Sequence, residues 1–223
     1  MTDYESIIRY AWRAYDHTRT IGTIDNISAK VSTNSVFQLN MKDGNILIAK
    51  VTVFGSFEGF AEDHTIVNVL ANNLPVRYAD FLSRALMKGN QLFFHRYIDT
   101  ETDAWVVFYR PIHIQEQSPK RLNLDQIAKL GSEIATFHRD CTLVSGTLPR
   151  SNRDMTTDVD SLLRELPERY PDHQELIHRH CHLFLENTFR LNTLGFEKIP
   201  VFIDWNIGNF SIHKDGSLAS RWD

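Results

Sequence analysis

Val201-Phe202-Ile203-Asp204-Trp205-Asn206-Ile207-Gly208-Asn209-Phe210-Ser211-Ile212 is the stretch on which the reading of this chain turns. Two apolar runs, each of strand length, enclose a polar loop. The loop holds a carboxylate, Asp204, and five residues on a carboxamide, Asn209. Carboxylates are seldom buried without a partner, so an aspartate at the end of an apolar strand calls for a chemical reason. The turn signal Lys214-Asp215-Gly216 follows, and the sequence closes on Arg221-Trp222-Asp223. A hairpin after Asn209 would return Asp223 beside Asp204 and Asn209. Two carboxylates and an amide oxygen would then meet at one loop mouth. Oxygen ligands of this kind suit Mg²⁺, which keeps several waters and binds through few protein groups plus phosphates.

Upstream of that loop the second half of the chain reads as helical. Asn123 is placed to cap a helix whose apolar stripe is Leu124, Ile127, Ala128, Gly131, Ile134 and Ala135, with His138 closing it. Residues 146–158 read as loop, and 159–166 and 172–194 as helices, with Gly195 at the C-terminal cap. The first half has a different texture. A short amphipathic helix over 4–17 is followed by strand character from Ile27, with Val31, Val36, Phe37 and Leu39. The turn Lys42-Asp43-Gly44-Asn45 leads into the apolar run Ile46–Val51, so these strands form a hairpin. A helix over 58–73 ends before Pro75, and 91–99 with 104–110 predict a second hairpin. Strand-rich first and helix-rich second predicts an α+β fold with a boundary near residue 112.

Composition sets the outer bounds. The chain has 223 residues, 23% charged and 42% hydrophobic, the profile of a globular domain large enough to build a core without disulfides or metals. Its formal net charge of −4 shows no whole-chain basic footprint, so no nucleic-acid partner is expected. Two cysteines, Cys141 and Cys181, are too few for a disulfide framework. A reducing, cytoplasmic setting is expected. No apolar stretch is long enough to span a bilayer, and no membrane partner is expected. Oligomeric state is not legible.

At residues 202–209 the chain resembles the kinase-like phosphotransferases, in particular the aminoglycoside phosphotransferase and choline kinase branch. That family's catalytic loop reads His-x-Asp-Leu-His-Pro-Gly-Asn. Here the Asp, Gly and Asn keep their places as Asp204, Gly208 and Asn209, while Phe202 stands for the first His and Asn206-Ile207 for His-Pro. The resemblance implies a two-lobed protein-kinase-like fold, a nucleotide-binding lobe over 1–112 and the start of a helical lobe over 113–223. It implies ATP and Mg²⁺ as cofactors and a small-molecule hydroxyl as acceptor. Asp204 takes or orients the acceptor's proton, and Asn209 and Asp223 hold the metal. Lys50, inside the strand Ile46–Val51, matches the lysine that holds nucleotide phosphates, and Glu62 matches its acidic partner. Ser132–Asp140 matches the helix that precedes the catalytic loop. A hairpin over about 27–40 would cover the nucleotide, with Ser32 and Asn34 as its polar contacts, although it lacks Gly-x-Gly-x-x-Gly. Since the family's substrate helices follow its second metal-binding Asp, we expect this sequence to be part of a longer protein.

Each residue has a plainer reading. A lysine late in an apolar strand can lie at an edge or snorkel. Glu62 can be a solvated first-turn residue favoured by the helix dipole, and Glu58 competes for the same ion pair. His178 and His182 stand one helical turn apart and could ligate a metal, but no carboxylate or cysteine completes the set. A solvated helix face with Cys181 turned inward fits them better, and Cys141 reads as core. Two other functions stay open: a catalytically silent kinase-like nucleotide-binding or regulatory module, favoured by Phe202, and an unrelated α+β metal-dependent hydrolase built on Asp204 and Asp223.

Overall fold

A computed structural model describes residues 3–28, 34–111, 121–149, 155–195, 205 and 209–221. Helix α1 (Tyr4–Tyr15) opens on Asp3, whose side chain accepts from the Ser6 N–H. Strands β1 (Ile21–Asn26), β2 (Ser35–Met41) and β3 (Ile46–Thr52) follow. Helix α2 (Phe57–Asn73) is capped by Ser56, whose hydroxyl accepts from the Gly59 N–H at 3.1 Å. After a 3₁₀ turn at Val76–Tyr78 come β4 (Met87–Lys88), β5 (Gln91–Leu92), β6 (Phe94–Ile98) and β7 (Asp103–Tyr109). Helix α3 (Leu124–Leu143), helices α4 (Met155–Arg169) and α5 (Gln174–Thr193), and strands β8 (Phe210–Ile212) and β9 (Leu218–Arg221) complete the order.

The main sheet is antiparallel throughout, in the order β1-β2-β3-β7-β6. Its two faces follow from the period-two alternation of strand side chains. On one face Leu39, Leu47, Ala49, Val51, Val106 and Phe108 pack against Ile7, Ile8, Ala11 and Trp12 of α1. The Trp12 indole N–H is satisfied by the Arg19 carbonyl at 2.8 Å. On the other face Trp105, Val107 and Tyr109 pack with Phe60 of α2. Strand β7 is therefore buried on both sides, as its unbroken run Ala104-Trp105-Val106-Val107-Phe108-Tyr109 requires. Each large apolar side chain so buried is worth about 1.5–3 kcal/mol.

A third cluster carries the site described below. Leu70 and Ala71 from the end of α2, Tyr78, Phe81 and Leu82 from the following segment, and Phe137 and Cys141 from α3 are buried together. This cluster explains why α3 outruns its expected end. His138 does not close the helix, because Phe137 and Cys141, one turn apart on the same side, are both fully buried and draw the helix on to Leu143. At the other end of α3 the expected cap is found in full. The Asn123 side chain accepts from the Gln126 N–H at 2.8 Å, and the Gln126 side chain accepts from the Asn123 N–H at 3.0 Å. Asn123→Ala is expected to lower stability by about 1 kcal/mol in chemical denaturation; no change in the midpoint would contradict that.

The chain divides into two compact units, residues 1–148 with 200–223, and residues 149–199. The boundary expected near residue 112 and the apolar run 199–203 both meet stretches outside the described residues. In the second unit α4 begins at Met155, earlier than expected, and runs through Pro167 to Arg169. Thr156-Thr157-Asp158 has loop composition, but Asp158 in a first turn favours helix. Helix α5 follows a 3₁₀ turn at Pro171–His173, and Gly195 beyond it adopts φ +72, as a left-handed cap requires. Two further departures concern strands. The segment expected as one strand over 91–99 breaks at Phe93: Gln91–Leu92 pairs with Met87–Lys88, and only Phe94–Ile98 joins the main sheet. Strand β1 is an edge strand with mostly exposed side chains, so it lacks the apolar alternation that marks β2 and β3.

Candidate functional site

The loop at 204–209 leads into a real hairpin. Strands β8 and β9 pair antiparallel with Phe210 opposite Arg221 and Ser211 opposite Ser220, and Gly216 takes φ +84 in the turn. The two serine hydroxyls bond each other at 2.6 Å inside the pair. Asn209 sits at the mouth of this hairpin, directly before β8. The register brings the start of β8 beside the end of β9, the strand from which Asp223 follows two residues on in sequence. Asp204, Asp223 and Ser32 lie outside the described residues.

The hairpin is tied down on two sides. The Arg221 N–H donates to the Phe81 carbonyl at 2.6 Å, and the Ser83 N–H donates to the Arg221 carbonyl at 2.9 Å. That bridge fixes β9 to the segment between α2 and β4. On the other side Trp205 packs edge-on to Phe137 and His138 of α3 and to Phe210, at centroid distances of 5.9, 5.7 and 5.4 Å. The Arg221 guanidinium lies over the same indole, 4.7 Å from its centroid. Sequence reasoning passed over both residues. An aromatic next to a loop aspartate was visible, but nothing in the sequence marked Arg221 as its partner.

On the sheet, Lys50 lies on β3 opposite Val36 and Val107. Alternation puts it with Ile48 on the face that packs against α2. Glu62 stands on α2, half-buried, with Oε1 shielded from solvent and no hydrogen-bond partner among the described residues. Lys50 and Glu62 thus belong to one layer of the fold, the sheet face and the helix packed on it. Glu58, the competing acid, is exposed in the first turn of α2. The layer is clipped by His64, which sequence reasoning also missed. Its Nδ1 contacts the Phe60 carbonyl at 2.8 Å and its Nε2 contacts the Tyr109 hydroxyl. A carbonyl can only accept, so Nδ1 carries the proton, and in the neutral ring Nε2 accepts from Tyr109. Asn34 directly precedes β2, the strand next to Lys50.

Arg77 forms an ion pair with Asp140 of α3, whose side chain is buried while Arg77 reaches solvent. Burial pushes the neighbouring Tyr78 hydroxyl up to about 12. Burial also pushes the Cys141 thiol up to about 12, which keeps it protonated and inert, as its core reading expects. His178 and His182 stack on each other at 6.2 Å on α5, with half-buried Cys181 on the same helix. Among the described residues no group of three or more His, Cys, Asp or Glu could hold a metal ion. Also among them, no helix is long and apolar enough to cross a membrane.

The sheet with a helix on each face, followed by α3 and a short hairpin at a loop mouth, is the α+β arrangement of the kinase-like fold. Comparison with solved structures agrees. Over 100% of its length the chain aligns with amicoumacin kinase, solved in complex with AMP-PNP, Ca²⁺ and Ami, at a TM-score of 0.61 and 13% identity. It aligns over 74% of its length, and 56% of the other chain, with a microcompartment-associated aminopropanol kinase, at a TM-score of 0.45 and 13% identity. With macrolide 2′-phosphotransferase type I the figures are 100%, 72%, 0.43 and 12%. The fold assignment rests on the first comparison. The chain spans 64% of the amicoumacin kinase chain. Its sequence matches no family profile and no curated protein.

Proposed function

We propose that this protein transfers the γ-phosphoryl group of ATP to a hydroxyl of a small molecule. In this reading residues 1–112 bind the nucleotide and residues 113–223 open the helical part that carries the catalytic loop. Lys50 holds nucleotide phosphates, Glu62 is its acidic partner, and Ser32 and Asn34 contact the nucleotide from the covering hairpin. The acceptor oxygen attacks the γ-phosphorus, the bond to the bridging oxygen of ADP breaks, and Asp204 takes the acceptor's proton. Asn209 and Asp223 would hold Mg²⁺, and their all-oxygen donor chemistry fits that ion. Bound there, Mg²⁺ supplies charge neutralisation on the phosphates. The rest of the catalysis is positioning by the chain's own residues.

The observation that supports this reading is the placement of Trp205 and Asn209, the described residues of the Asp-x₄-Asn stretch. Trp205 packs on α3 and Asn209 directly precedes the β8–β9 hairpin, in a chain that folds like amicoumacin kinase. The nucleotide analogue and divalent ion bound by that kinase support the cofactor assignment. Lys50→Met tests the nucleotide site. Losing a charge-assisted contact to phosphate costs about 1.5–3 kcal/mol, so calorimetry should show MgATP affinity falling at least about tenfold. Equal affinities in the two proteins would remove Lys50 from the site. Phe202, in place of the family's histidine, favours a second reading, a nucleotide-binding module without turnover. A single-turnover assay separates the two, since only an enzyme converts bound ATP and acceptor to products.

A further inference from the structure

We infer that Trp205 and Arg221 form a positioning pair that holds the metal-binding end of the loop in register, an inference that rests on the phosphotransferase reading above. One indole links three parts of the proposed site. Trp205 follows Asp204 directly in the chain. Its ring meets that of Phe210, the residue after Asn209, at 5.4 Å, so the two necks of the loop are pinned to each other. Over it, at 4.7 Å, lies the guanidinium of Arg221, two residues before Asp223. Phe137 and His138 back the ring from α3. Each proposed ligand or acid is therefore within two residues, along the sequence, of Trp205 or of a residue that touches it.

The chemistry of the contact suits positioning. Trp205 Nε1 is buried with no hydrogen-bond partner among the described residues, so the ring is held by its faces and edges. Arg221 is 4% exposed, and its main chain is already locked to Phe81 and Ser83. A cation held over an indole away from water is attracted more strongly than one at the surface. Neither side chain is proposed to touch substrate. Their effect is to keep Asn209 and the end of β9 at one spacing, which a small hard cation with strict geometry needs.

The test is ATP binding followed by calorimetry as Mg²⁺ is varied, on the full chain, with melting by circular dichroism as the check on folding. Arg221→Met keeps most of the volume and removes the charge, and its melting curve reports any loss of folding. It should raise the Mg²⁺ concentration for half-maximal ATP binding by about tenfold, with ATP affinity in chelator unchanged. Arg221→Lys, which keeps a cation over the ring, and Trp205→Phe, which keeps a ring under it, should each stay within about threefold of the unaltered protein. Trp205→Ala should match or exceed Arg221→Met. If Trp205→Ala fails to fold, Arg221→Met and Arg221→Lys still decide the matter. Unchanged Mg²⁺ dependence in Arg221→Met overturns the positioning pair and leaves the phosphotransferase reading standing. ATP binding by the unaltered protein that does not depend on Mg²⁺ overturns both.

Discussion

Asp204→Ala is expected to lower phosphoryl transfer by about 10²–10⁴-fold, the usual worth of a positioned general base, while MgATP affinity stays within about threefold. The asymmetry follows from the roles assigned. In the proposed reading Lys50 would hold the nucleotide phosphates, and Asn209 and Asp223 the metal, so removing Asp204 should spare the bound nucleotide. What would be lost is the group proposed to take the acceptor's proton as its oxygen attacks phosphorus. Asp204→Asn keeps the size of the side chain but cannot accept that proton, so it should lose nearly as much. An enzyme whose kcat falls less than tenfold in both variants uses another base, and the central assignment fails. A fall in nucleotide affinity as large as the fall in kcat would instead make Asp204 a ligand of the metal–nucleotide complex.

The second large effect concerns stability. Phe137→Ala should destabilise the protein by about 3–5 kcal/mol, the range for emptying a large aromatic from a packed core. Phe137 is 0% exposed and meets Tyr78, Phe81 and Trp205 at centroid distances of 5.2, 5.1 and 5.9 Å. These partners come from two separate parts of the chain, the segment after α2 and Trp205, so the cavity cannot be closed by moving one of them. For a chain of this length the loss corresponds to a melting temperature lower by roughly 10 °C. Because Phe137 also backs Trp205, activity measured well below the transition should fall too. A shift of less than about 1 kcal/mol would mean that the cluster repacks freely, and that Trp205 is not held from α3.

Where the fold was legible, a single physical signal sufficed. Strands β2 and β3 alternate around an Asp-Gly turn, and α3 begins at an asparagine that can cap it, with Gln126 three residues on. The β8–β9 hairpin was likewise announced by Lys214-Asp215-Gly216. The elements that sequence misplaced lack such a signal. Strand β1 contributes Ile21 to the core but leaves most of its side chains outside, and β4 is two exposed residues paired to β5. The extension of α3 past His138 depends on where Phe137 and Cys141 are buried, which is a tertiary fact.

The same division runs through the site. Lys50 stood out because a lone cation in an apolar strand is conspicuous, and the sheet does turn it toward the α2 face. Asn209 stood out by its spacing from Asp204, and it is found at the hairpin mouth. Arg221 could not be seen from sequence. It lies in a short polar strand, and only the register that sets it opposite Phe210 brings its guanidinium over Trp205. His64 was hidden for a similar reason, since its partner Tyr109 belongs to a strand distant in the chain. Long-range pairing, rather than local pattern, created both contacts.

The most direct test of the central claim is transfer of label from γ-labelled ATP, with Mg²⁺, to a panel of hydroxylated small molecules, run in parallel with the unaltered protein and Asp204→Ala. The account predicts a phosphorylated acceptor that forms only with Mg²⁺ present and falls by at least about 10²-fold in the variant. Product formation at equal rates by the two proteins would contradict it.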